Sequence, residues 1–330
     1  LVPADAAAAG AAPTCFGASA TIVVTTPGSV TNGTSGDDVI VGTVGDDEID
    51  GRGGNDLICG GNGSDFLIGG LGADRMSGGP GDDGLVGDAA SVSSARGGGN
   101  DQLNGDDGAD LLIGDSYSDA PASGGGNDVL FGGGGPDHMY GDSYGATASG
   151  GGDDYLDGGV GDDAMRGDSK AFAGDAVGGG DDVLHGGVGQ DFLAGDSDAA
   201  RNAYGSGDDV VDLGSDGGFM AIGDHNITES DGGKALGAGN DSITGGSAGD
   251  ILIGDSSVAD ASRTVAGDDA ISGRDGDDTL FGDNADFSLS VAVGTAGGHD
   301  WLHGGDGTDD CDGGPGYDGA SRCETLARVP

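Results

Sequence analysis

Positive charge is scarce in this chain: 11 lysines and arginines stand against 59 aspartates and glutamates in 330 residues, a formal charge of −48. So acidic a surface repels nucleic acid and anionic membrane, which makes both poor candidates as partners and argues against nucleic acid. Core-forming side chains are also scarce. Leucine, isoleucine, valine and phenylalanine make up about 18 % of the residues, a level that with high net charge leaves a chain unfolded unless something external stabilises it. No apolar run reaches the ~18 residues of a membrane span. Aromatics account for 5 % of the chain. Catalytic signatures are missing too: there is no Gly-x-Ser-x-Gly elbow, no HExxH helix and no Ser–His–Asp order. The five histidines are scattered, with His138, His185 and His303 on outward strand positions, and read as solvated surface groups. Cysteine is limited to four residues, which allow three pairings.

What abounds is glycine, 79 residues of it, together with aspartate. A glycine-rich acidic backbone loses much entropy on folding, so the missing stabiliser is a cation. The two residue types are not scattered. In "GGNGSDFLIGGLGADRMSGGPGDDGLVGD" (60–88) a marker glycine recurs every nine residues, an aspartate follows two positions later, and an apolar residue follows two after that. The apolar series runs Ile40, Ile49, Ile58, Leu67, Met76, Leu85, Leu103, Leu112, Leu130, Met139, Leu156, Met165, Leu184 and Leu193. It continues with Val211, Ile243, Leu252, Ile271, Leu280, Leu302, Cys311 and Ala320. One inward residue between two outward ones is the alternation of a three-residue strand. Short strands and tight turns at fixed period make a solenoid rather than a globule.

From Gly81 onward, steps of nine alternate with much longer steps. If one turn of the solenoid contains two strands, every long step falls on the same edge. Eight extended loops therefore stack along that edge, opening with Gly-Asp at Asp88, Asp115, Asp142, Asp168, Asp196, Asp224, Asp255 and Asp283. These openings either complete a modified binding site or simply begin a solvated loop.

Ca²⁺ takes six to eight oxygens at about 2.3–2.6 Å in a flexible shell, which suits glycine carbonyls and carboxylates better than the tight octahedron of Mg²⁺. Turns without thiolate or imidazole disfavour softer metals. The segments "GGNGSDFLI" (60–68), "GGGGPDHMY" (132–140), "GGVGDDAMR" (158–166), "GGVGQDFLA" (186–194) and "GGDGTDDCD" (304–312) resemble the RTX, or hemolysin-type, calcium-binding repeat. The resemblance covers about residues 36–321. It implies an all-β, right-handed parallel β-roll of nonapeptide repeats, with Ca²⁺ in both edges and eight extended loops on one of them.

The expected ligands on the short edge are Asp47, Asp65, Asp83, Asp110, Asp137, Asp163, Asp191, Asp250, Asp278 and Asp309. On the long edge they are Asp38, Asp56, Asp74, Asp101, Asp128, Asp154, Asp182, Asp209, Asp241, Asp269, Asp300 and Asp318. The repeat breaks at "GSDGGFMAIGD" (214–224), where Phe219 stands in the aspartate position and the site is lost unless Asp216 substitutes. Since a calcium-bound carboxylate cannot also act as a free acid or base, the chain is read as non-enzymatic.

The start "LVPADAAAAGAAP" resembles the tail of a secretory signal, the alternative being a disordered alanine-rich arm. A cap over 14–35 precedes the roll and a tail over 322–330 follows it. The tail "DCDGGPGYDGASRCE" (310–324) and "ICGG" (58–61) are similar to secreted bacterial members of the family. That similarity supports pairing Cys15 with Cys59 and Cys311 with Cys323, which would staple both ends; the alternative is free buried thiols.

Strands leading into the long edge carry an outward apolar stripe: Phe66, Ile68, Val86, Leu111, Ile113, Tyr140, Phe192, Ile251, Ile253 and Phe281. The loops carry Val92, Tyr117, Tyr144, Phe172, Tyr204 and Phe287. They are expected to fold over the stripe as one ridge without a core of their own, the alternative being that another molecule packs on the stripe. The function expected is a secreted calcium-binding module with a structural or interaction role. Its alternatives are a glycan- or surface-binding module and a self-associating filament subunit.

Overall fold

A three-residue strand with one buried side chain cannot stand alone and needs a copy above and below it. The computed structural model describes residues 12–227, 233–258, 265–286, 289, 292–294 and 297–329, and in it the strands stack in that way. Two thirteen-stranded parallel sheets form the body. The first sheet runs from Ile22–Val23 through Leu57–Cys59 to Gly319–Ser321, and the second from Val30–Asn32 through Phe66–Ile68 to Thr325–Ala327. Consecutive strands alternate between the two, so the chain is an all-β parallel β-roll with two strands per turn. At the ~4.8 Å strand spacing, thirteen strands give a rod of roughly 60 Å.

The core is the expected file of inward residues, from Ile40 to Cys311, each almost fully buried. Register keeps like over like: Leu85 pairs with Leu112, and Leu112 with Met139. Several first-sheet strands exceed the expected three residues. Arg75–Pro80, Gln102–Asp107 and Val129–Gly134 continue through the glycines, because the short turns are close enough to extend the ladder.

All eight long loops leave from one edge, as the spacing requires. They are not a draped ridge, however. Their first halves form an eight-stranded parallel sheet, from Ala89–Ser91 to Ala285–Asp286, and six of the return halves form a second sheet, from Ala95–Arg96 to Lys234–Leu236. The expectation that they bury no core is wrong. Ala148, Ala171, Ala176, Ala199, Ala203, Ile227, Ala235 and Val258 form one between the two sheets. Stacked in register, side chains as small as alanine fill this narrow lobe.

The lobe covers half of the apolar stripe. Val86, Ile113 and Tyr140 are buried against it, with the Tyr140 and Tyr144 rings 5.0 Å apart; further along, Ala194, Ile222, Ile253 and Phe281 are buried with Ala285. Phe66, Ile68, Leu111, Phe192 and Ile251 stay partly exposed. Between the two apolar blocks sits a buried ion cluster. The Arg166 guanidinium lies 2.9 Å from Asp198 and 4.6 Å from the centre of the Phe192 ring, and Lys170 binds the same carboxylate. Of the loop residues, Tyr117 and Tyr144 are half-buried at the seam, Tyr204 is half-buried, and Val92 and Phe172 are exposed. Phe287 lies outside the described residues, as do residues 1–11 of the expected N-terminal arm.

Both ends are stapled as the resemblance implied, by Cys15–Cys59 and Cys311–Cys323. One histidine departs from the solvated reading. His225 is fully buried in the lobe, its Nδ1 accepting the Ser197 amide at 3.3 Å, and burial lowers its pKa to about 4.

Candidate metal centres on the two edges

All twenty-two expected ligands are buried. Each edge holds its aspartates in a vertical ladder, in which the amide of one donates to Oδ1 of the aspartate one turn on. On the long edge Asp101 donates to Asp128 at 2.7 Å and Asp128 to Asp154 at 2.7 Å; on the short edge Asp110 donates to Asp137 at 2.9 Å and Asp137 to Asp163 at 2.8 Å. This fixes twenty of the carboxylates, all but Asp38 and Asp47 at the start of the ladders, and leaves their other oxygen facing into the turn. In nineteen of the twenty-two, that Oδ2 is buried without a hydrogen-bond partner. Buried carboxylate oxygens are costly unless something cationic meets them.

The space around these oxygens fits a hard cation. A Cβ on Gly158 would collide with Asp163 Oδ2 and lie 2.7 Å from the Gly186 carbonyl oxygen of the next turn. Glycine therefore leaves open a point where a carboxylate and a carbonyl converge, the donor set Ca²⁺ prefers. With charge uncompensated, burial and neighbouring aspartates drive the carboxyls upward. On the short edge Asp110 and Asp163 rise to about 6, and Asp83, Asp137, Asp191 and Asp278 to about 7. On the long edge Asp101 rises to about 9, Asp128 to about 8 and Asp269 to about 9.

Three turns are built differently. The Oδ2 atoms of Asp38, Asp47 and Asp250 accept backbone amides from Thr34, Thr43 and Gly246 at 2.7, 2.5 and 2.7 Å. In an open turn that carries no lobe the second motif residue is left-handed, as at Gly159 (φ 96°). β-Branched Thr34 and Thr43 disfavour that conformation, so their turns close on the aspartate instead. In the third, Ala248 stands at the marker-glycine position. These are the poorest cation sites of the set, and threonine at the second position was the signal for two of them.

At the broken repeat, Gly218 rather than Phe219 takes the ladder position, donating to Asp250 Oδ1 at 3.0 Å. Phe219 bulges outward, 53 % exposed, and Asp216 is exposed and does not substitute. The site is therefore without its carboxylate, as expected, but through a one-residue shift.

The Gly-Asp openings are not solvated. Asp88, Asp115, Asp142, Asp168, Asp196, Asp224, Asp255 and Asp283 are all buried. Each lobe is inserted between the two halves of a long-edge turn, and its return brings those halves together. Asp224 Oδ1 accepts the Gly239 amide at 3.0 Å, and Asp255 Oδ1 the Gly267 amide at 2.8 Å.

A family profile described as the RTX calcium-binding nonapeptide repeat (4 copies) matches residues 32–67, 60–90, 97–116, 123–143, 148–169, 176–199, 236–257, 263–286 and 295–320. These matches span more than half of the sequence, and the chain belongs to that family. No curated protein matches the chain at a significant level. Together, family and fold define a calcium-binding structural module.

Proposed function

We propose that the chain is an extracellular module that is exported unfolded and folds on binding Ca²⁺, serving as a rigid structural or interaction element without catalytic activity. The observation that carries this reading is the pair of ladders whose inward carboxylate oxygens lack partners. With −48 formal charges in one body, the calcium-free chain repels itself, and ligation converts that repulsion into cohesion. The two disulfides suit an oxidising compartment. Circular dichroism with EDTA and then with millimolar Ca²⁺ tests it: sheet signal is lost and regained. A chelated sample at neutral pH that keeps its sheet signal and compact radius overturns it.

A second reading, adhesion to glycans or surfaces, draws on the aromatic row along the lobe. The Tyr117, Tyr144 and Phe172 rings follow one another at 5.6 Å spacings on successive turns. Glycan-array binding that requires Ca²⁺ and is lost in Tyr144→Ala would favour it. Assembly into filaments is the other form an interaction role could take, and sedimentation with and without Ca²⁺ tests that.

A further inference from the structure

The nonapeptide motif assigns one aspartate per turn to each edge. On the long edge the carboxylates gather differently. Asp88, Asp101 and Asp115 place one oxygen each within 4.8 Å of one another, and so do Asp115, Asp128 and Asp142. The pattern repeats at Asp142, Asp154 and Asp168, and again at Asp168, Asp182 and Asp196. Two oxygens bound to one Ca²⁺ at ~2.4 Å can be no more than about 4.8 Å apart. Each group therefore has the dimensions of a single shell.

We propose that these four groups are linked divalent-cation sites in which the Gly-Asp openings, outside the nonapeptide aspartate position, act as ligands, with Asp115, Asp142 and Asp168 each bridging two ions.

Proximity of acids alone would not carry this. The second observation is that the openings are aimed into the groups with nothing to satisfy them. Asp142, Asp168 and Asp196 are fully buried, and both oxygens of each lack a hydrogen-bond partner; Asp88 is the same at 2 % exposure. Among the described residues no lysine or arginine compensates them, since the buried Arg166 and Lys170 are both engaged with Asp198; His225, whose Nδ1 lies 3.7 Å from Asp196 Oδ2, accepts the Ser197 amide through that atom and is held neutral by burial. Charge counting agrees. Nine aspartates make up the four groups, so four divalent ions bring a formal −9 to −1, which monovalent ions in the same places would not do. Carbonyls stand ready to complete the shells: a Cβ on Gly141 would collide with both Asp154 Oδ2 and the Gly167 carbonyl oxygen. Because adjacent ions share a carboxylate, filling one site orients a ligand of the next, and the row fills cooperatively.

The proposal rests on the calcium-binding reading, and the experiment separates the two. Calcium is counted by native mass spectrometry on the full chain and on single isosteric variants. Asp142→Asn, at a bridge, loses two ions relative to wild type; Asp88→Asn, at the end of the row, loses one. Asp137→Asn reports on the short edge. If Asp137→Asn loses calcium while Asp142→Asn and Asp88→Asn keep the wild-type count, the linked sites are wrong and the roll reading stands. A wild-type chain that takes up no calcium overturns both. Should the long-edge variants fail to fold, crystals of the wild type grown with Sr²⁺ decide by anomalous scattering. Peaks within reach of Asp88, Asp142 and Asp168 support the proposal; peaks along the short edge alone overturn it.

Discussion

The two edges of this roll are built from one turn and have become different environments. On the short edge the nine-residue turn is intact, supplies one ladder aspartate, and has solvent on its outer side. On the long edge the same turn is cut after its second residue and a lobe is inserted, so two aspartates per turn are sealed under a second pair of sheets. The hydrogen-bond ladder is the same on both. What changes is desolvation: Asp83 and Asp163 of the short edge rise to about 7 and about 6, while on the long edge Asp101 rises to about 9 and Asp115 to about 12. An insertion that never touches the ladder thus sets how strongly its carboxylates demand a counter-charge.

The largest expected effect follows from that asymmetry. These aspartates have folded pKa values above the unfolded 3.8, so the calcium-free fold is most stable at low pH and weakens as pH rises toward each folded value. On the short edge the loss runs through about pH 7; on the long edge it continues through about pH 9. In EDTA at pH 7.5, hydrogen exchange should open the lobes and long-edge turns before the short-edge turns, and lowering the pH to 5 should restore protection on both. Short-edge turns opening first would break the comparison. With Ca²⁺ present the trend reverses, because protons compete for the same oxygens and affinity falls with pH.

Next in size is the seam that holds the lobe on. Arg166 interrupts its apolar packing in mid-row, paired with a fully buried Asp198. Arg166→Leu leaves that carboxylate to Lys170 alone; breaking a buried pair from one side costs about 3–5 kcal/mol where the charge is left uncompensated, and Lys170 keeps the loss below that. The expected result is a lower Tm, with exchange protection lost in the lobe near Lys170 and Asp198 and short-edge calcium unchanged. Adding Asp198→Asn should recover part of the loss. A Tm unchanged in Arg166→Leu would mean that the ion cluster does not hold the lobe.

How much of this the sequence shows depends on whether a feature repeats. The core file, both ladders and the common edge of the insertions are written in the period, since register forces identical positions into identical environments. The lobe's interior is not, because alanine and buried serines such as Ser116, Ser143 and Ser197 give no apolar periodicity to read. His225 occupies that same serine column, so its burial becomes visible only once the lobe is known to be a solenoid. Disulfide pairing came from resemblance, not from spacing. The burial of the Gly-Asp openings depends on a strand returning across them, which no local pattern encodes.

A smaller effect tests the short edge where its column is already broken. Asp163→Ala removes a ladder acceptor and an inward oxygen, and should lose calcium and lower the Tm. Phe219→Ala removes a side chain that is 53 % exposed and holds no ladder position, so it should lose no ion and change stability by less than about 0.5 kcal/mol. Equal calcium counts in wild type and Asp163→Ala, with no fall in Tm, would show that the short-edge ladder is structural rather than ligating.

The smallest effect separates the cation cradle from the glycine that merely accompanies it. Gly158 and Gly134 both sit in first-sheet strands that run into short-edge turns, but their surroundings differ. A Cβ on Gly158 enters the space shared by Asp163 Oδ2 and the Gly186 carbonyl, so Gly158→Ala should abolish calcium binding at that turn. A Cβ on Gly134 meets only Asp107 Oδ1, at 3.5 Å, and its φ lies outside the left-handed region. Gly134→Ala therefore adds no clash and reduces the entropy of the unfolded chain, for a gain of about 0.4–1 kcal/mol with the calcium count unchanged. Thermal melts and ion counts on the two variants read this directly. If both lose an ion, glycine is needed at these turns for backbone freedom; if only Gly158→Ala does, it is needed for the space in front of the carboxylate.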